Sequence, residues 1–232
     1  MIKAYQVGGF VRDSLLGVKS KDVDYAVEAP SYEAMVIWIK ERGKIFLESP
    51  EFWTVRAHIE GGQPADYVLC RKDGQYSDGR RPDSVEPGTL MDDLARRDFT
   101  VNAMALDEAT GQIIDPFGGQ RDLETMTLKC VGNARDRFKE DALRMLRAIR
   151  FAITKNFALS KDIIFALSDF EMIELLNKNI SSDRKRDELY KCFAHDTIGT
   201  IQMIEAYPVE LSHAIFNSKT GKIWLMPTSK DP

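Results

Sequence analysis

The spacing of apolar residues changes character near residue 134. Before that point, short runs with a period of two dominate. YQVGG (5–9), DVDYAV (22–27), RAHIE (56–60), ADYVLC (65–70) and GQIIDP (111–116) predict β-strands. Between them DSLLG (13–17), YEAMVIWIKERG (32–43) and LARRDFTVNAMAL (94–106) have helical or mixed periodicity. From about residue 134 the strand pattern fades. DRFKEDALRMLRAIRFAITK (136–155), SKDIIFALSDF (160–170), ISSDRKRDELYKCFAHD (180–196) and IGTIQMIEAY (198–207) all predict helices. The expectation is an α+β domain over 1–133 followed by an all-helical part over 134–232. RKDGQYSDGRRPDSVEPGTLM (71–91), rich in Gly, Pro, Asp and Arg, predicts a mobile loop, and the terminal TSKDP predicts a frayed end.

Length and composition narrow the class. The chain has 232 residues, 44% hydrophobic and 29% charged, which suits a folded protein with a substantial core. No apolar run is long enough to span a membrane, and the opening MIKAYQVGG lacks the apolar stretch of a signal peptide, so a cytoplasmic protein is expected. Three widely spaced cysteines, Cys70, Cys130 and Cys192, suit reduced buried thiols better than disulfides or a zinc site. The net charge of −4 excludes a globally basic nucleic-acid binder. Residues 135–155 are different: seven positive side chains face three negative ones there. Local patches of this kind matter more than the total when phosphates are bound.

Candidate chemistry begins with Asp22 and Asp24, set in a run that otherwise reads as a buried strand. Alternation would put both on one strand face, with Val23, Tyr25 and Val27 on the other. Two carboxylates at ~4 Å repel by roughly 4 kcal/mol at an effective dielectric near ~20. A divalent cation turns that repulsion into ligation, and Mg²⁺ favours one or two carboxylates with phosphate oxygens. A solvated strand face is the plain alternative. Upstream, Gly8-Gly9 follows a strand and opens a helix carrying Arg12, an arrangement that lets backbone and guanidinium approach an anion.

VGGFVRDSLLG…KDVDYAV, in this order and spacing, resembles the head-domain signature of class II tRNA nucleotidyltransferases and bacterial poly(A) polymerases, of the polymerase β superfamily. The resemblance implies a polymerase β-like head with a mixed sheet and helices, then a helical neck. It also implies Mg²⁺ ions held by Asp22 and Asp24, and attack of an RNA 3′-hydroxyl on the α-phosphate of a nucleotide. Asp66 in ADYVLCR matches a third acidic position, where family members often carry Glu. ARRDFTVNAMAL resembles a second motif, which implies that Arg97, Asp98 and Asn102 contact ribose and phosphates; an amphipathic helix is the alternative reading. IIDPFGGQRDLE (113–124) resembles a third, structural motif marked by Asp115 and Gly118-Gly119.

In EDALRMLRAIRF (140–151), Phe138, Ala142, Met145, Ile149 and Ala152 define one apolar helix face, with Asp141 and Arg144 three apart beside it. By itself this is an i,i+3 ion pair. The resemblance implies a pair that reads the Watson–Crick edge of the incoming base, with Arg147 and Arg150 of the same helix in the nucleotide-binding set. NISSDRKRDELYKCF (179–193) resembles a supporting fifth motif, capped by Ser182 or Asp183, with Asp183 in place of the usual Glu. RKDGQYSDGRRPDSV (71–85) resembles the flexible loop of CCA-adding enzymes, with an arginine-bearing surface loop as the alternative reading. Typical members continue for well over a hundred residues beyond this chain's end, so how tRNA is held is open: acceptor stem alone, a second copy, or a partner subunit.

The expected function is template-independent addition or repair of the tRNA 3′-terminal CCA from CTP and ATP with Mg²⁺. The alternatives are an A-adding enzyme or poly(A) polymerase, and an inactive nucleotide- or RNA-binding homologue. A phosphohydrolase built on His195-Asp196 is disfavoured, because only His58, His195 and His213 exist and no second ligand cluster appears.

Overall fold

The alternating runs of the first part become neighbouring strands of one sheet in the computed structural model, which describes residues 2–20, 22–76, 82–218 and 221–222. The strands are β1 (Lys3–Val7), β2 (Asp24–Glu28), β3 (Gly43–Ser49), β4 (Thr54–Ile59), β5 (Ala65–Leu69), a separate ribbon of β6 (Arg71–Asp73) with β7 (Val85–Pro87), then β8 (Ala105–Asp107) and β9 (Gln112–Ile114). The seven-stranded sheet has the order β3-β4-β5-β2-β1-β8-β9. Only β2 and β5 run parallel within it; every other neighbouring pair is antiparallel. With helices α1 (Gly9–Leu15), α2 (Tyr32–Lys40), α3 (Leu90–Ala95) and α4 (Gly119–Glu124), this is an α+β fold.

The sheet buries one face under α2 and the other under α3 over its central strands, while β3 and β4 leave that second face open. On one face Val27, Val55, Ala57, Tyr67 and Leu69 pack with Met35, Val36 and Ile39 of α2. On the other, Tyr5, Val7, Ala26, Cys70 and Ala105 pack with Leu90 and Leu94 of α3.

The chain forms two compact units, Met1–Gln75 with Asp83–Thr125, and Tyr76–Pro82 with Met126–Pro232. Within the second unit, β10 (Thr127–Leu128) pairs in parallel with β11 (Ala158–Leu159). That unit also carries the short antiparallel pair β12 (Asn217–Ser218) with β13 (Gly221–Lys222), and its helices are α5 (Ala134–Glu140), α6 (Leu143–Lys155), α7 (Lys161–Leu167), α8 (Phe170–Asn179), α9 (Ser182–His195), α10 (Thr197–Glu205) and α11 (Val209–Phe216). Lys185 of α9 is 1% exposed, and its Nζ donates to the Ala214 carbonyl at 2.6 Å near the end of α11. Burial pulls this ammonium down to about 8.

Several sequence expectations are corrected. The continuous helix read over 136–155 is interrupted: Asp141 is extended (φ −151°, ψ 104°) and its Oδ1 accepts the Leu143 N–H at 3.0 Å, starting a new helix. The apolar face survives the break, since Phe138, Ala142, Met145, Ile149 and Ala152 are all buried. ARRDFTVNAMAL is not one helix. α3 ends at Ala95, and a 3₁₀ turn (Thr100–Asn102) and β8 follow.

The loop expected at 71–91 holds the β6–β7 ribbon and the start of α3, while residues 77–81 and TSKDP lie outside the described residues. Ser181, rather than Ser182 or Asp183, caps α9 by accepting from the Arg184 N–H. His195 ends α9 and Asp196 caps α10, accepting from Gly199 N–H at 2.9 Å.

Helix α3 starts with a reciprocal cap. Asp92 N–H donates to Thr89 Oγ1, and Thr89 N–H donates to Asp92 Oδ2 at 2.8 Å. Thr89→Ala is expected to lower unfolding stability by about 1 kcal/mol in urea titration, with Thr89→Ser close to the parent.

Candidate active site

The parallel pairing of β2 and β5 decides the site. Asp24, the first residue of β2, is the register partner of Asp66 on β5, so two carboxylates stand on neighbouring strands and the same face. Asp24 is half-buried. Burial first, and then the nearby Asp66 and Asp22 charges, push its carboxyl above the usual range, while Arg97 and Arg56 pull it back. Asp22 departs from the expectation that it shares a strand face with Asp24. β2 begins at Asp24, and Asp22 sits exposed in the approach to the strand. Arg56 on β4 is the register partner of Asp66, with its Nη1 3.8 Å from Asp66 Oδ2.

On the other side of Asp24 lies the glycine turn. Val7 is the register partner of Asp24, and Gly8 and Gly9 follow directly. Gly8 has φ +70°, and a Cβ there would stand 2.8 Å from Arg97 Nη1. A side chain at residue 8 would therefore be strained and would displace the arginine.

Arg97 is fixed by Asp93: its Nη2 donates to Asp93 Oδ2 at 2.9 Å, and its Nη1 donates to the Asn102 carbonyl at 3.2 Å. Arg96 holds the other Asp93 oxygen. Asp93 is 1% exposed. Burial opposes its charge, but Arg97 and Arg96 outweigh that and hold the carboxyl below its ordinary range. Arg12, Asn102 and Asp98 form a second buried chain. Arg12 Nη1 donates to Asn102 Oδ1 at 2.6 Å, and Asn102 Nδ2 donates to Asp98 Oδ1 at 3.0 Å. The sheet unit thus brings together Gly8, Gly9, Arg12, Asp24, Asp66, Arg97, Asp98 and Asn102.

In the helical unit, Asp141 and Arg144 do not form the i,i+3 pair. Arg184 of α9 donates to Asp141 Oδ2 at 2.7 Å, and Arg144 donates to Glu140 Oε2 at 2.6 Å and to the Arg137 carbonyl at 3.0 Å. The break at Asp141 is the reason, since it takes the two residues off a common helical register. Arg150 donates to Glu188 and lies 4.8 Å from the centre of the Phe151 ring. Arg144, Arg147 and Arg150 recur every third residue along α6, all half-buried. Sequence reasoning missed Asp93 and Arg184. Asp93 had a usable signal in its i,i+3 and i,i+4 spacing to Arg96 and Arg97. Arg184 had none, because it meets Asp141 only through the tertiary fold.

Among the described residues, no three His, Cys, Asp or Glu side chains converge closely enough to hold a metal. The oxygen-donor set does fit magnesium, which takes one or two carboxylates and completes its shell with phosphate oxygens and water. Burial, and then the neighbouring carboxylates, raise the Asp24 carboxyl, and a bound cation would offset both.

The pattern of the poly A polymerase head domain matches residues 4–129, more than half of the chain. The chain belongs to this family. A CCA-adding enzyme of Geobacillus kaustophilus is 44% identical over 193 residues, which are 83% of this chain and 46% of that protein. The crystal structure of Bacillus stearothermophilus CCA-adding enzyme in complex with CTP superposes with a TM-score of 0.79 at 34% identity, covering 94% of this chain and 51% of that one. Thermotoga maritima CCA-adding enzyme complexed with tRNA-CCA follows at 0.72 and 29% identity, covering 93% and 48%. The chain spans about half the length of the relatives it matches. Among the described residues, this member of the poly A polymerase head-domain family has no helix long and apolar enough to cross a membrane.

The raised Asp24 carboxyl means that ionising it costs folding stability. The cost is absent at acid pH, where the group is protonated folded and unfolded, and grows as pH rises through the folded value. Asp24→Asn is therefore expected to melt higher than the parent at pH 7.5 in EDTA, with the gap closing toward pH 4. A constant gap would contradict the raised Asp24 carboxyl.

Proposed function

We propose that this chain is a template-independent tRNA nucleotidyltransferase that adds or repairs the 3′-terminal CCA from CTP and ATP in the cytoplasm, with residues 1–133 as nucleotidyltransferase head and 134–232 as helical neck. The observation that carries the reading is the register pairing of Asp24 with Asp66 beside the Gly8–Arg97 contact. The names and bound ligands of the relatives support it: CCA-adding enzymes, one with CTP and one with tRNA-CCA.

Each residue has a role in this reading. The Gly8-Gly9 backbone and Arg97 receive the triphosphate, and Asp93 keeps the Arg97 fork aimed. Arg12, Asp98 and Asn102 brace the turn and meet the ribose. Asp22 and Asp24 would hold Mg²⁺, which when bound neutralises triphosphate charge and eases ionisation of the attacking hydroxyl. Asp66, next to Asp24, orients the RNA 3′-hydroxyl and accepts its proton. The 3′ oxygen bonds to the α-phosphorus, the α–β anhydride bond breaks, and pyrophosphate leaves.

Asp141, which only accepts, and Arg144, which only donates, read the edges of C and A. Arg184 and Glu140 hold them in line, while Arg147 and Arg150 add positive charge along α6. An A-adding activity on RNA 3′ ends is the second reading, favoured by the poly A polymerase head-domain match.

Asp22→Ala and Asp24→Ala are expected to cut nucleotide incorporation by a factor on the order of 10³ or more, a loss of several kcal/mol of transition-state stabilisation. Near-normal turnover in either would remove the metal assignment. Asp141→Ala or Arg144→Ala is expected to lower discrimination of CTP and ATP against UTP and GTP at least about tenfold, measured as kcat/KM ratios. Preserved ratios would remove the base-reading pair.

A further inference from the structure

The sheet order places four features on consecutive strands: the glycine turn after β1, Asp24 on β2, Asp66 on β5 and Arg56 on β4. Neighbouring strands lie ~4.8 Å apart, so Arg56 stands about 10 Å from Asp24, on the side opposite the glycine turn. In the proposed reaction the triphosphate occupies the glycine side, so the attacking 3′-hydroxyl must come from the Asp66 side. Arg56 lies just past Asp66 on that approach.

Its side chain is 53% exposed, and its contact with Asp66 at 3.8 Å is too long to hold it. Arg97, by contrast, is locked onto a buried carboxylate. The same open face continues outward. Val55 and Ala57 point into the core, while Arg56 and His58 point away, and Lys44 on β3 is the register partner of His58. Lys44 and His58 are both exposed.

We infer that Arg56, with Lys44 beyond it, forms a cationic track on the outer strands that binds the backbone phosphates of the RNA strand whose 3′ end is extended. The inference rests on the reading of Asp66 as the residue that meets the RNA hydroxyl. Arg56 touches the strand and not the nucleotide, so its loss weakens RNA binding and leaves nucleotide affinity alone.

The test is fluorescence anisotropy of the full chain with a labelled tRNA minihelix ending in CC, titrated at several salt concentrations, alongside steady-state ATP addition to the same RNA. Arg56→Ala is expected to weaken RNA binding about tenfold at low salt and to reduce the slope of log Kd against log salt by about 0.7–0.9, the share of one phosphate contact. KM for RNA should rise in step, with KM for ATP within about twofold. Arg56→Lys should restore most of the affinity, and Lys44→Ala should show a smaller loss of the same kind. An unchanged minihelix Kd and salt slope in Arg56→Ala would overturn the track, as would a rise confined to KM for ATP. Binding that depends on Arg56 in a parent protein that adds no nucleotide would support the track while removing the catalytic reading.

Discussion

Repulsion between Asp24 and Asp66 is the constraint on which the rest of the sheet unit turns. Their strands are the one parallel pair in the sheet, which puts both carboxylates at the same end and on the same face. A fold selected for stability alone would not keep two acids in register on half-buried strands, because burial and the Asp66 charge together raise the cost of ionising Asp24. The surroundings lower that cost without abolishing it. Arg97 approaches from the glycine turn and Arg56 from β4, yet the Asp24 carboxyl stays above its ordinary range. The residual strain is what a cation and a triphosphate would relieve, so instability and chemistry have one origin.

The two cations are held differently, in keeping with the roles proposed for them. Arg97 is clamped by the buried carboxylate of Asp93 on α3 and braced on the Asn102 carbonyl, so its fork is fixed before any ligand arrives. Preorganised donors lose little on binding, which suits a group that receives a triphosphate. Arg56 is half-exposed and loosely paired, which suits the proposed contact with an RNA strand that moves between additions. In the helical unit the same logic appears in Asp141 and Arg144. Each is turned by a partner of opposite charge, Arg184 or Glu140, instead of pairing with the other. Two separately oriented groups can present an acceptor and a donor side by side, whereas a closed ion pair would satisfy itself.

The elements legible in the sequence were those whose local pattern and tertiary role agree. β1, the glycine turn and β2 carry alternation, turn residues and paired acids together, and they were found. β3 was not, because as an edge strand with a register shift between Ile45 and Leu47 it exposes Phe46 and Leu47 and shows no clean alternation. Helix α3 was hidden by the Gly- and Pro-rich stretch that runs into its cap. The break at Asp141 was invisible to periodicity because the apolar face continues through it. Of the site, the residue types were readable from motif spacing. Of the partners that decide where those side chains point, Asp93 and Glu140 stand at local i,i+3 or i,i+4 spacing from the arginines they hold, whereas Arg184 meets Asp141 through a contact that only the fold creates.

The most direct test of the central claim is single-nucleotide-resolution extension of tRNA transcripts ending before CCA, after C and after CC. The purified chain and Mg²⁺ are supplied with CTP alone, ATP alone or both. The account predicts C addition to the first two transcripts with CTP alone, A addition only to the third with ATP alone, and completion of CCA followed by a stop on all three with both. ATP-driven growth regardless of the starting end, or no extension of any transcript, would contradict it.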